Sequence, residues 1–282
     1  PNPSGLRKSI YTEELALKYR IPLIRLHEGG GGSVTGSGGT AKKPTVPSGD
    51  AVFSKNRFRA LAECLSIIPV ATAALGPVGG LPAARLVASH FSVMTKNSQV
   101  LIAGPAVVKR ALGIDITKEE LGGPDIHLKS GVVDNLAENE EDALNQIKTF
   151  LSYLPDNYLK LPPNIKSTDK KDRIENELIE IIPKDRKKIY NMRKILSLIL
   201  DSNSFFEYGK LYGSGLITGL ARLNGESVAI IANDCMIYAG AMTADASMKL
   251  RRFIEFVNTF NLPVLSFVDE PGFMIGPDSE KA

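Results

Sequence analysis

The sequence has few of the residues on which several protein classes depend. Its 282 residues include two cysteines, three histidines and no tryptophan. Cys64 and Cys235 lie far apart and form no CxxC pair, which argues against a disulfide framework and a structural zinc site and favours a reducing compartment. The histidines lack ligand spacing such as HxxxH, so the sequence predicts no metal site.

The sequence also lacks a strong excess of positive or negative charge, and it lacks long apolar runs. The 34 basic and 31 acidic residues leave a net charge of +3, which predicts neither nucleic acid nor a membrane surface as the main partner. No apolar run approaches the ~20 residues of a membrane span, and residues 1–4 do not resemble a signal peptide. We expect a soluble globular protein. Because the sequence starts without Met and ends soon after a glycine loop, we also expect a segment of a longer protein.

Helical and strand-like patterns alternate along the chain, and this alternation predicts an α/β fold. A hairpin is predicted at Asn224-Gly225, a strong signal for a two-residue turn. The predicted helices cover residues 13–19, 57–65, 82–89, 140–154 and 191–200, and the predicted strands cover 21–26, 67–74, 100–105, 216–221 and 227–232.

The middle of the chain is rich in charges and proline, which is typical of a linker. We therefore predict an N-terminal domain over 1–160, a charged linker over 161–190 and the start of a second domain over 191–282. The charge runs within the linker are read as solvated surface in preference to a docking site for a partner.

A weak internal repeat supports two similar domains. Residues 14–28 and 255–269 both run from a helix end through proline and an apolar strand to an acid and a glycine loop. With Pro22 set against Pro263, apolar residues align at positions 23, 24 and 26, and an acid aligns at position 28. Any two helix-strand units share some of this pattern, so chance similarity stays an alternative.

Three glycine-containing loops are candidates for function. The tract from Gly29 to Gly39 lacks the context of a nucleotide site and is either an active-site loop or a linker. Residues 76–82 join a buried strand to a helix, where free N–H groups can hold an oxyanion or the glycines can serve packing alone. Residues 269–276 end the repeated strand and form either a tight turn or a loop beside a substrate.

Several short stretches of the sequence form a recognisable series along the chain. They are Gly122-Gly123 with His127, Leu151-Ser152-Tyr153-Leu154-Pro155, Thr218-Gly219-Leu220-Ala221-Arg222, Asp245-Ala246-Ser247 with Lys249, and Asp269 with Pro271-Gly272-Phe273. In this order they resemble the carboxyltransferase β subunits of propionyl-CoA and methylcrotonyl-CoA carboxylases. The resemblance covers nearly the whole chain.

This resemblance implies a duplicated α/β fold of two crotonase-like (ClpP/crotonase) domains, each a β-β-α superhelix. It implies carboxyl transfer from carboxybiotin to the α-carbon of an acyl-CoA, through enolates held by backbone oxyanion holes. Biotin would be carried on a partner, and a coenzyme A thioester would be the substrate. The implied partners are a biotin carboxylase, a biotin carboxyl carrier and further copies in a dimer-based homo-oligomer that can be a hexamer. The implied compartment is the cytoplasm of a prokaryote or the mitochondrial matrix of a eukaryote.

The resemblance also implies site residues. Gly79, Gly80 and Leu81 match the first oxyanion loop and would be catalytic, and Gly76, Pro271, Gly272 and Phe273 would contact substrate. Leu81 stands where the family commonly has a second glycine, which puts the geometry of the donor in doubt. A decarboxylase subunit, a non-catalytic subunit of the same fold and a plain hydratase or isomerase are the alternatives.

Overall fold

A computed structural model of the chain describes residues 3–29, 56, 58–170, 172–185 and 188–281. The chain forms two compact units, one from residues 1–127 and 136–147 and the other from 128–135 and 148–282. We call them unit 1 and unit 2. The compact units divide near Ile147, ahead of the predicted linker over 161–190, which lies within unit 2. The division into domains at 1–160 and 191–282 stays a prediction.

Unit 1 is built on a sheet arranged around one long strand. In chain order, the elements through residue 137 are α1 (Pro3–Tyr19), β1 (Leu23–Gly29), α2 (Arg59–Ile67), β2 (Val70–Gly79), α3 (Leu81–Val87), β3 (Phe91–Thr95), β4 (Gln99–Leu101), α4 (Pro105–Leu112), α5 (Lys118–Gly122), α6 (Pro124–His127) and β5 (Asn135–Ala137). The strand order is β1-β2-β3-β5, with β4 also paired to β2. β1, β3 and β4 all run parallel to β2.

β2 is longer than its sequence suggests. The pattern predicts a strand to residue 74 and a turn from Gly76, but the strand continues to Gly79 because β4 pairs with Pro77 through Gly79 after β3 has ended. The first half of β2 is buried throughout, as expected for a parallel strand covered on both faces. Its extension carries the chain to the start of α3.

Unit 2 has a four-stranded sheet in the order β6-β7-β8-β9. Helix α7 (Glu140–Ser152) begins in unit 1 and ends in unit 2. The remaining elements are α8 (Leu178–Ile181), α9 (Met192–Ile199), β6 (Phe206–Glu207), β7 (Leu216–Leu223), β8 (Glu226–Asn233), α10 (Ala244–Thr259), β9 (Val264–Phe267) and α11 (Pro277–Lys281). On α9, Met192, Ile195 and Leu196 share one face by helical spacing. They pack with residues of β7 and β8 in a buried core.

The hairpin between β7 and β8 confirms the sequence prediction. Asn224 and Gly225 have φ of 52° and 84°, as a two-residue turn between right-twisted strands requires. A Cβ on Gly225 would lie 1.8 Å from the Ile165 carbonyl oxygen, so glycine is required here for space as well as for conformation.

Gly225→Ala should therefore destabilise unit 2 by at least about 2 kcal/mol, through backbone strain and a clash with the backbone. Gly209→Ala is the matched control, because Gly209 also has a positive φ (65°) but a Cβ there would meet only Lys249 Cε, at 3.6 Å. Urea unfolding of both variants would measure the difference. Equal losses of stability would contradict the role assigned to the Ile165 contact.

Asp169 and Arg173, in the charged segment, make specific and largely buried contacts. Arg173 pairs with Asp169, and both side chains are largely buried. The Arg173 guanidinium also donates to the carbonyls of Leu198 and Leu200, at 2.7 and 2.9 Å, at the end of α9. A cation at a helix C-terminus satisfies carbonyls that have no partner inside the helix. The interpretation of this charge run as simple solvated surface is thus wrong at Asp169 and Arg173.

Candidate active site

A cavity of about 530 Å³ lies in unit 1 at the end of β2. Two helices, α3 and α4, begin at its wall, and Gly80 and Gly104 are their N-cap residues. The lining residues are Glu28, Gly29, Pro77, Val78, Gly79, Gly80, Leu101, Ile102, Ala103, Gly104, Ala106, Val107 and Lys118. Helix N-termini carry partial positive charge, so this wall suits an oxygen that becomes negative.

Gly76 lies before this cavity and is not among the residues that line it. The register between β1 and β2 shifts between His27 and Gly29. A Cβ on Gly76 would lie 2.9 Å from Glu28 Cγ. Gly76 therefore makes room for Glu28, which favours the packing role over substrate contact for this glycine.

The backbone amide of Gly80 is used by the sheet. Gly80 N–H donates to the Leu101 carbonyl, at 2.9 Å. Neighbouring N–H groups of a strand face opposite edges, so Gly79 N–H faces the β1 side, where Gly29 is paired with Val78. The Gly80 N–H is thus engaged within the sheet, and the catalytic role of Gly79, Gly80 and Leu81 stays a prediction. Gly80 also turns the chain into α3, with φ 65° and ψ −128°, a conformation that favours glycine.

Leu81 is the first residue of α3, and it does not line the cavity. N–H groups in the first turn of a helix have no acceptor within the helix. Pro82 follows at a position where a missing N–H costs nothing. Of the three residues predicted for the first oxyanion loop, Leu81 thus keeps an amide that the helix itself does not use.

A buried ion cluster fixes α3 beneath the cavity. Glu13 Oε1 on α1 contacts Arg25 on β1 at 2.6 Å and Arg85 on α3 at 3.3 Å. Glu13 is 1% exposed, and Arg25 also donates to the Arg85 carbonyl at 3.4 Å. Sequence reasoning missed these three residues. The available signal was the acid Glu13 on the inward face of a helical pattern. Its two partners can be identified only once the fold is known.

His27 lies on β1 between this cluster and the cavity-lining residue Glu28. Burial, together with the positive charges of Arg25 and Arg85, lowers the pKa of His27 to about 4 from 6.5. The imidazole is therefore neutral in the folded protein near pH 7.

Because the unfolded chain binds this proton more readily, the contribution of His27 to stability is complete above pH 6.5 and falls as the pH drops toward 4. The loss should reach up to about 3 kcal/mol by the linkage of pKa to stability. His27→Gln should flatten the pH dependence of unfolding in this window, as measured by urea denaturation at stepped pH. The same slope in both proteins would contradict the assignment.

In unit 2, the loop that holds Pro271, Gly272 and Phe273 is tied to the end of β8. Asn233 accepts from Asp269 N–H at 3.2 Å and donates to Glu270 Oε2 at 2.8 Å. Farther along the loop, Met242 N–H donates to the Gly272 carbonyl and Met274 N–H to the Met242 carbonyl, both at 2.9 Å. The predicted loop thus has a fixed backbone, and Phe273 is exposed.

The segment after β8 adopts an uncommon backbone beside this loop. Tyr238 and Ala239 have φ of 49° and 53°, in the left-handed region that non-glycine residues rarely occupy. Gly240 follows, and a Cβ there would lie 2.7 Å from the Asp269 carbonyl oxygen. Backbone strain of this kind concentrates at functional sites. No sequence pattern indicated this segment, because its conformation depends on its neighbour.

Asn233→Ala should release the loop, because it removes the two side-chain hydrogen bonds to residues 269 and 270, each worth about 1 kcal/mol. Hydrogen exchange at residues 269–274 should become faster. Asn258→Ala, on the exposed side of α10, is the control. Unchanged exchange in the Asn233 variant would contradict the positioning role.

Among the described residues, no group of three or more His, Cys, Asp or Glu side chains is arranged to hold a metal ion. In the same part of the chain, no helix is long and apolar enough to cross a membrane.

Comparisons with known proteins agree with this picture. A model of the carboxyl transferase domain matches residues 2–282. The propionyl-CoA carboxylase carboxyltransferase subunit of Haloferax mediterranei is 38% identical over 225 residues, which are 79% of this chain and 44% of that protein. The methylmalonyl-CoA decarboxylase subunit alpha of Veillonella parvula is 33% identical over 275 residues, 97% of this chain and 52% of that protein. The chain spans about half the length of these relatives.

A solved structure is also similar. The transcarboxylase 12S hexamer with methylmalonyl-coenzyme A bound matches with a TM-score of 0.87 and 29% identity, over 99% of this chain and 53% of that one. The similarity to such crotonase-like structures confirms the predicted α/β fold class. The chain therefore belongs to the carboxyl transferase domain family.

Proposed function

We propose that this chain, within its full-length protein, transfers a carboxyl group from carboxybiotin to the α-carbon of a short acyl-CoA such as propionyl-CoA. The observation that carries the proposal is the cavity where α3 and α4 begin, in a chain of the carboxyl transferase domain family. Carboxyl transfer to a thioester requires an enolate, and its oxygen needs a fixed donor.

The cavity wall supports the binding of an acyl thioester. Its size lies within the range of small-ligand sites. Lys118, at the start of α5, adds a cation to the two helix N-termini and suits a phosphate or carboxylate group of the substrate.

In this proposal the chain acts through its backbone. The Leu81 N–H, which directly follows the cavity-lining residue Gly80, holds the thioester oxygen together with the positive end of α3. Both stabilise the charge that develops when the α-proton leaves. Gly80 sets the direction of this helix, and the cluster around Glu13 keeps the helix in place. Carboxybiotin is the second substrate: it would release the carbon dioxide that the acyl enolate attacks, and the biotin left behind would take up the α-proton. Biotin arrives on a partner protein. The chain needs no side-chain nucleophile, because the acyl enolate is itself the nucleophile.

For unit 2 we propose that Pro271, Gly272 and Phe273 contact the substrate from a loop whose backbone Asn233 and Met242 fix. Exposed apolar side chains at Phe273 and Ile275 suit contact with an acyl group or a partner.

The proposed partners are a biotin carboxylase and a biotin carboxyl carrier. Further copies of the chain would form a dimer-based oligomer such as a hexamer. The hexamer of transcarboxylase 12S supports the last point. The proposed compartment is the cytoplasm in a prokaryote. In a eukaryote it is the mitochondrial matrix, in line with the human relative named as mitochondrial, which is 37% identical over 216 residues.

A second candidate is the reverse reaction, in which an acyl-CoA loses carbon dioxide and biotin accepts it. This candidate is supported by the similarity to the Veillonella parvula decarboxylase subunit, which aligns with 97% of this chain. The same cavity would serve both directions, because the enolate is common to them.

The test supplies full-length protein with a biotinylated carrier, the biotin carboxylase subunit, ATP, labelled bicarbonate and a panel of acyl-CoAs. Label should appear in a short acyl-CoA and should require the carrier. A parallel reaction with labelled methylmalonyl-CoA and free carrier measures the reverse direction. If no acyl-CoA gains or loses label, both directions are excluded.

Binding measurements distinguish an enzyme from a non-catalytic subunit of the same fold. Isothermal titration with coenzyme A and with biotin should show heat from at least one of them for an enzyme. A pure scaffold should bind neither.

A further inference from the structure

A buried lysine, which the proposed carboxyl transfer does not use, lines a small cavity in unit 2. The cavity has a volume of about 180 Å³, and Lys249, Arg252, Tyr208 and Tyr212 contribute to its wall. Lys249 is 5% exposed, although lysine is rarely buried without a charged partner. We propose that the Lys249 amine binds carbon dioxide reversibly, as a carbamate.

The amine has one partner within the described chain. Lys249 Nζ donates to the Leu216 carbonyl at 2.6 Å, and none of the described carboxylates forms an ion pair with it. The nearest acids are engaged elsewhere. Asp134 accepts two bonds from Arg252, at 2.7 and 3.2 Å, and Glu207 accepts from Arg193 at 2.9 and 3.1 Å.

An ammonium in this position is poorly compensated, and the amine is correspondingly easy to deprotonate. The pKa of Lys249 is lowered from 10.5 to about 8, mainly by burial and also by the charge of Arg193. The charges of Glu207 and Asp134 act in the opposite direction. A neutral amine can keep its bond to the Leu216 carbonyl through one N–H and still present a lone pair. A substantial fraction of Lys249 is therefore nucleophilic near neutral pH.

The reaction is a simple addition. The nitrogen lone pair attacks the carbon of carbon dioxide, a nitrogen–carbon bond forms, and one carbon–oxygen π pair moves onto oxygen. The proton released from nitrogen passes to solvent, which leaves a carbamate with one negative charge. The step needs no oxidant, reductant or further reactant.

The cavity selects a small ligand and offers a donor for the product. Its volume is below the range of about 300–1,000 Å³ that is usual for larger ligands. Arg252 lies three residues after Lys249 on α10, so both side chains project from the same side of the helix into the cavity wall. A guanidinium there can donate a charge-assisted hydrogen bond to a carbamate oxygen. The inference depends on unit 2 alone and does not require the proposed carboxyl transfer.

The experiment uses the unmodified chain with ¹³C-bicarbonate at pH 8 and a trialkyloxonium reagent, which converts a carbamate into a stable ester, followed by digestion and mass spectrometry. Lys210, an exposed lysine of the same unit, is the internal control. The label on Lys249 should exceed that on Lys210 on the order of a hundredfold, because about half of the Lys249 amine is neutral at pH 8. The same treatment in urea should remove the preference.

Carbon-13 NMR of the untreated protein under ¹³C-bicarbonate shows the carbamate without requiring the reagent to enter the cavity. A carbamate resonance that Lys249→Arg removes would support the proposal. No such resonance in the wild-type protein, or label on Lys249 no greater than on Lys210, would overturn it.

Discussion

Replacing Gly80 by alanine is expected to reduce carboxyl transfer by the full-length protein about 100- to 1,000-fold, the usual effect of losing one oxyanion donor. Gly80 has φ 65° and ψ −128°, which an alanine adopts only with strain. Relief of that strain would rotate the first turn of α3 and displace the Leu81 N–H from the position that a thioester oxygen requires. The loss should appear in kcat, because the interaction strengthens as the enolate forms.

Gly104→Ala is the matched control for this variant. Gly104 is the N-cap of α4 at the same cavity, but its φ of −75° is ordinary and a Cβ there meets no atom within 4 Å. This variant should retain most of the activity. Equal activity in the two variants would show that the backbone at the start of α3 does not hold the reacting oxygen.

Replacing Glu13 by glutamine is expected to destabilise unit 1 by about 3–5 kcal/mol, because two buried guanidiniums would lose their counter-ion. Glu13 is the acid that Arg25 and Arg85 share. Urea unfolding measures the loss. Activity should fall together with stability, since Arg85 lies on α3 and helps to hold that helix in place.

Glu63→Gln in the same unit provides the comparison. Glu63 also forms an ion pair, with Arg59 at 3.0 Å, but both side chains are well exposed, at 48% and 80%. Such a pair is worth at most about 1 kcal/mol. A similar loss of stability in the two variants would contradict the importance given to burial of the Glu13 cluster.

Local patterns predicted the elements whose causes are local. The hairpin at Asn224-Gly225 follows from backbone conformation alone, and α9 follows from the spacing of its apolar residues. The two strands of the predicted repeat are both present, while the duplication itself stays a prediction. β1 begins at Leu23 and β9 at Val264, the positions that align when Pro22 is set against Pro263, and each runs parallel to its neighbour.

Features that depend on distant partners were missed. β2 extends past Pro77 because β4 is available to pair with it, and nothing near Gly76 in the sequence shows that. The same pairing uses the Gly80 amide and so changes which residue can act as a donor. Asn233 and Arg173 gain their roles from residues 36 and 27 positions away, the separations of their bonds to Asp269 and Leu200.

The family could be predicted because its motifs are short runs of fixed residue types, whereas the site could be predicted only in part. Leu81 stands in place of a glycine, and a backbone donor tolerates that exchange. The glycine tract from Gly30 to Gly39 lies outside the described residues. Its role as an active-site loop or a linker stays a prediction.

A single-turnover transfer tests the central claim most directly. Full-length protein is mixed with carrier that has been carboxylated beforehand with labelled carbon, together with propionyl-CoA and without ATP or bicarbonate. Label should leave the carrier and appear in the acyl-CoA in equal amount, and Gly80→Ala should slow this step whereas Gly104→Ala should not. Label that leaves the carrier only as carbon dioxide, at a rate that no acyl-CoA changes, would contradict the proposed carboxyl transfer.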